Sequence, residues 1–138
     1  MDIRKFAVSP TSRLHLRDAN DELLYADAGK KQPIAVNLFG PGSREYAKAK
    51  AAQNNRLVNK MKTKGKANQT PEEITAESAE FLAACTQSWE NMGYGDEVLG
   101  DADLSAAIYS DRSLGFISDQ VAAHLGSWSN FTKSSSES

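Results

Sequence analysis

The sequence predicts an α+β fold, an N-terminal three-stranded antiparallel meander followed by a mostly helical region of about four helices. Three observations lead there. Between residues 13 and 39 apolar side chains alternate with polar ones and are twice interrupted by turn-forming clusters. After residue 43 the apolar spacing lengthens from two to three and four, the period of a helix. Thr70, Pro71, Glu72 and Glu73 then supply an N-cap, a proline at the first helical position and an acid at the third. The 138 residues fit one domain, residues 1 to 131, large enough to bury a core without a metal or disulfide.

The first strand is read from Leu14 and Leu16, which alternate with Arg13, His15 and Arg17. Asp18, Ala19, Asn20, Asp21 and Glu22 turn the chain into a second strand at Leu23, Leu24 and Tyr25. A second turn around Gly29 leads to a third strand in which Ile34, Val36 and Leu38 alternate with Ala35, Asn37 and Phe39. Three strands are unstable alone, so helices or another subunit must cover the face formed by Leu14, Leu16, Ile34, Val36 and Leu38.

Gly40, Pro41 and Gly42 end the strands, and Ser43 is placed to cap a helix over about 43–64. Its apolar line, Tyr46, Ala49, Gln53, Leu57 and Met61 with Val58 beside it, is thin, and Lys48, Lys50, Arg56, Lys60 and Lys62 fall mostly off it. Gly65 is a helix stop within a mobile basic linker over residues 63 to 69. The second helix, about 71–92, presents Ile74, Phe81, Leu82, Cys85, Trp89 and Met92 on one face and Glu73, Glu77, Glu80 and Gln87 on the other. Gly93, Tyr94 and Gly95 are expected to end it. Two shorter helices follow, about 102–109 and 113–128, the last burying Leu114, Ile117, Val121, Leu125 and Trp128. Residues 132 to 138 form a serine-rich tail that is expected to be disordered.

Charge is unevenly distributed. Residues 43 to 66 hold eight basic side chains and one acid, everything after them holds two basic and twelve, and the first 42 residues are nearly balanced at six to five. A chain so divided can pair its own helices, or stack the basic surface of one copy on the acidic surface of the next. The second arrangement builds rings or spirals. Its surface would comprise Lys48, Arg56 and Lys60 against Glu73, Glu77 and Glu80.

No motif for chemistry emerges. Gly40 to Arg44 occupies a strand-to-helix corner, but it lacks the lysine and hydroxyl pair of a phosphate-binding loop and reads as a turn with a cap. Cys85 lies on an apolar face, where a thiol packs as a small hydrophobe and is hard to ionise. His15 and His124 are far apart, without a serine or cysteine partner in a recognisable motif, so no catalytic, cofactor or metal residue is assigned. A single cysteine excludes an internal disulfide, and Asp2, Arg4 and Lys5 interrupt any signal-peptide core, so the expected setting is reducing, neither secreted nor membrane-spanning. The lysines of the first long helix leave nucleic-acid binding as a rival, weakened by a single aromatic, Tyr46, in that stretch and by the acidity of the remainder.

Taken in order, these features resemble the tail assembly chaperones of long-tailed, siphophage-type bacteriophages and prophages. The likeness spans roughly residues 12 to 131. It rests on Leu14, His15, Leu16, Arg17 and Asp18; on Phe39, Gly40, Pro41, Gly42 and Ser43 with Tyr46 and a basic helix; on Thr70, Pro71, Glu72 and Glu73 leading to Cys85 and Trp89; and on Ile117, Gln120 and Val121 before Asn130 and Phe131. Ser118 departs from it, since similar chains often carry a basic residue there. The resemblance implies a non-enzymatic role in the cytoplasm of the bacterial host, coating the tape measure protein during tail morphogenesis and absent from the mature virion. It also implies a tail tube protein partner, recruited through a frameshifted extension, and the head-to-tail homo-oligomer suggested by the charge division fits such a role. The rival readings are a basic-helix nucleic-acid-binding module and a minor virion structural protein.

Overall fold

The computed structural model describes residues 1–64 and 70–132. The fold is α+β. A three-stranded antiparallel sheet of order β1-β2-β3 is built from β1 (Thr11–His15), β2 (Ala35–Phe39) and β3 (Thr86–Glu90). Four helices accompany it: α1 (Arg44–Lys64), α2 (Pro71–Ala84), α3 (Asp101–Ser110) and α4 (Gly115–Leu125). Leu14 lies opposite Val36, and Val36 opposite Trp89. Helices α2, α3 and α4 cover the sheet, and Leu16, Val36, Leu38, Leu82, Ile108 and Val121 meet in the core between them.

The first and last of the three predicted strands form as β1 and β2, but the predicted middle strand at Leu23, Leu24 and Tyr25 does not. Leu23 and Tyr25 form only isolated bridges, to Arg17 and Pro33, while β3 comes from residues assigned to the end of the second helix. That helix stops at Ala84, so Gly93, Tyr94 and Gly95 follow a strand rather than a helix. The cause is a bulge. Asn37 pairs with Ser88 but Leu38 with Thr86, which leaves Gln87 as an extra residue. The insertion sets Thr86 and Trp89, three apart, opposite the core residues Leu38 and Val36 of β2, a helix-like spacing in place of strict alternation. A polar ladder lines the face of the sheet away from Val36. Arg13 donates to Glu90 at 3.0 Å, and Asn37 donates to Ser88 at 3.0 Å and to Glu90 at 2.9 Å. The Arg13 hydrogen bond holds the Glu90 carboxyl below its ordinary range against a partial burial that works the other way.

Turn chemistry follows the sequence closely. The Asp18 carboxylate accepts from the Asn20 and Glu22 amides, that of Asp27 from the Lys31 and Gln32 amides, and Asp21 and Lys30 take the left-handed conformation at φ 67° and 57°. Ser43 caps α1, its Oγ accepting from the Tyr46 amide at 3.1 Å and donating to the Gly40 carbonyl at 2.7 Å. Thr70 caps α2 by accepting from the Glu73 amide at 3.2 Å. Replacing it by alanine should cost about 1 kcal/mol, read as a lower urea midpoint; an unchanged midpoint would mean the cap is not formed in solution.

Helix α4 is shorter than the 113–128 span expected, because 3₁₀ turns at Arg112–Leu114 and Trp128–Phe131 flank it. Trp128 lies on the second turn and is 57% exposed, whereas Phe131 takes the buried place near the end of the domain. The Phe131 carbonyl accepts from the Ser9 amide at 2.7 Å, which ties the end of the described chain to the segment before β1. The expected helix stop at Gly65, the linker after residue 64 and most of the expected tail lie outside the described residues, while residues 63 and 64, expected in the linker, belong to α1. Among the described residues no helix is long and apolar enough to cross a membrane.

Candidate functional site

The candidate surface is the antiparallel pair α1 and α2. Every four-residue step along a helix advances about 40° past a full turn, so the line Ala49, Gln53, Leu57, Met61 drifts off the contact by about 120°. A step of three after Gln53 corrects the drift and turns Arg56 and Lys60 toward α2. Leu57, Val58 and Met61 are consequently 37%, 47% and 50% exposed. Near its start α1 packs conventionally: Ala49 is buried, and the Tyr46 ring meets Phe81 edge-on at 5.6 Å.

Five of the six candidate residues converge within one chain. Arg56 Nε lies 3.0 Å from Glu80 Oε2 and 4.0 Å from Glu77 Oε1, and Lys60 Nζ lies 3.1 Å from Glu77 Oε1 and 3.6 Å from Glu73 Oε2. This is the pairing of a chain's own helices rather than of two copies. Glu77 is buried to 9% exposure at its centre, although the sequence places it on the polar face of α2. Arg56 Nε and Glu77 Oε1 are enclosed without an aligned hydrogen bond, so the short contacts there act chiefly by charge. Lys48 stands apart, exposed and outside every ion pair formed by the described residues.

Beside this network an open groove of about 300 Å³ runs between α1, α2 and α4, lined by Tyr46, Gln53, Phe81, Leu82 and Leu125. Lys50 stands on its rim with Nζ 5.1 Å from the Phe81 ring centre, a cation over an aromatic face. The groove has an apolar floor and a polar edge, which suits a helix with one apolar stripe better than a compact polar molecule.

The side chains most suggestive of chemistry serve packing. Cys85 is fully buried, and loss of hydration pushes its thiol up to about 12. Cys85→Ser should lower stability by about 1 to 3 kcal/mol through burial of an extra hydroxyl; loss of function in a variant of unchanged melting point would instead assign the thiol a direct role. Ser12 Oγ and His124 Nε2 lie 3.0 Å apart across the whole sequence, a pairing no local motif signals. Ser12 is only 3% exposed and His124 is half-buried, and the bond joins β1 to α4. Gln120 forms a second tie, its amide both accepting from and donating to the Arg17 backbone at 2.7 Å. Among the described residues no group of three or more histidine, cysteine or acidic side chains is placed to hold a metal ion.

Burial lowers the pKa of His124 below its ordinary 6.5, so the unfolded chain binds the proton more readily. Stability contributed by the neutral ring is complete above about pH 6.5 and is lost as pH falls below it. A titration of the urea midpoint should therefore decline between about pH 7 and 5, and His124→Gln should flatten that decline. A parent midpoint constant over the range would contradict the burial assigned to the ring.

No family model, curated protein or solved structure matches the chain.

Proposed function

We propose that the protein is a non-enzymatic tail assembly chaperone of a bacteriophage or prophage, which coats the tape measure protein and keeps it soluble during tail morphogenesis. The groove between α1, α2 and α4 carries the reading. Its floor of Tyr46, Phe81 and Leu125 is apolar, and its shallow form favours the many weak, replaceable contacts needed along a rod rather than one tight site. The chaperone works as a head-to-tail oligomer in the cytoplasm of the bacterial host, and a frameshifted extension would add the contact to the tail tube protein. Nucleic-acid binding is less well supported, because Arg56 and Lys60 are committed to carboxylates and Lys50 to an aromatic ring.

Co-expression with a siphophage tape measure protein provides the test. The parent should hold that protein in the soluble fraction, and filling the groove with Gln53→Trp and Ser78→Trp should release it to the pellet without lowering the melting point. Persistence of the protein in purified particles would favour a virion component, and salt-sensitive retention on DNA a nucleic-acid module. Either result would sink the chaperone reading.

A further inference from the structure

We infer that the exposed distal face of α1 is a docking surface for a second copy of this chain, and that the acidic loop between β3 and α3 is the part that docks. The inference rests on the head-to-tail association proposed above but relocates its contacts. Glu73, Glu77 and Glu80 are already engaged by Arg56 and Lys60 of their own chain, so they are not the acids that α1 offers to a neighbour. What α1 still presents is Leu57, Val58 and Met61, each more than a third exposed, with the exposed Lys62 beside them. Apolar side chains adjoining a cation call for a partner that is apolar at its centre and acidic around it.

Such a partner exists elsewhere on the molecule. Residues 91 to 111 contain five acids, Asp96, Glu97, Asp101, Asp103 and Asp111, and no lysine or arginine. Asp101 is occupied, accepting from the Trp89 amide at 2.9 Å, and Asp111 accepts from Tyr94 and Ser113. Asp96, Glu97 and Asp103 remain exposed toward solvent. Gly95, at φ 63°, and the bridge between Tyr94 and Glu97 make a tight turn, and the next residue, Val98, is fully exposed. A valine held on a turn beside two carboxylates matches an apolar helix face beside a lysine in both character and charge.

Within one chain these surfaces leave each other open, since Val98 is wholly exposed and each of the α1 side chains more than a third so. They are two different patches, so a contact between copies leaves one of each free and the assembly can extend in one direction as a ring or spiral. Because the apolar area is small and the charges are exposed, association should be weak and should weaken further with salt.

The test uses two variants of the full chain. Met61→Glu with Lys62→Glu disables the α1 face, and Glu97→Lys with Val98→Asp disables the loop. In sedimentation velocity the parent should shift toward heavier species with rising concentration, and each variant alone should remain monomeric. Mixed in equal amounts, the variants should form a one-to-one dimer and nothing larger, because each retains the half the other lacks. If circular dichroism shows either variant misfolded, Met61→Ser and Val98→Ser should give the same pattern. A parent that associates while either variant associates equally well, or a mixture that stays monomeric, overturns this pairing. A parent that stays monomeric overturns both the pairing and the proposed oligomer. Solubilisation of the tape measure protein, measured alongside, separates failure of these contacts from failure of the chaperone reading.

Discussion

Replacing Arg56 and Lys60 together by glutamate should open the pair of helices α1 and α2 and lower stability by roughly 3 kcal/mol. The substitution would set two further carboxylates against Glu73, Glu77 and Glu80, with Glu77 already mostly enclosed. Single exposed ion pairs contribute about 0 to 1 kcal/mol, but this network shares Glu77 between two cations, and reversal converts every attraction into repulsion. Helix content and the urea midpoint should both fall. Lys48→Glu, at a residue outside the network, should leave them unchanged and serves as the control. Should the double reversal keep the parental midpoint yet abolish self-association, the acids and bases pair between copies in solution, and the first of the two sequence alternatives is wrong.

Gly40→Ala should be comparably severe, at about 3 kcal/mol, because the new methyl group would overlap the buried Phe131 ring. Phe131→Ala should cost a similar amount by leaving a cavity in the same place. Combining the two should cost clearly less than the sum of the single changes, since the methyl group would then enter space the ring has vacated. Strict additivity in chemical denaturation would mean the two residues do not touch.

Much of the architecture was legible in the sequence because local chemistry and final structure agree there. Ser43 and Thr70 cap the helices they were expected to cap, and the aspartates at positions 18 and 27 organise their turns. The sheet was harder, since Gln87 disguises a strand as the last turns of a helix and the pairing of two strands separated by 46 residues leaves no mark on spacing. The site was half legible. Charge polarity singled out Arg56, Lys60, Glu73, Glu77 and Glu80 as a surface between copies, whereas the structure joins them within one chain; which partner each one faces depends on how α1 is rotated, and that is decided by one three-residue step. Ser12 with His124 and Arg17 with Gln120 were invisible for a different reason, because each partner looks ordinary until the fold brings the two together.

The placement of β3 after α2 also affects how the protein is born. On the ribosome, β2 emerges well before the strand that completes its far side, so one edge of the nascent sheet waits while both long helices are synthesised. An unpaired edge carrying Val36 and Leu38 is open to strands of other chains during that interval. The first helix made in the meantime is rich in lysine, and unfinished chains that carry this charge without the later acids would repel one another. The basic segment thus discourages premature contacts between incomplete copies, before Glu73, Glu77 and Glu80 are translated and neutralise part of its charge.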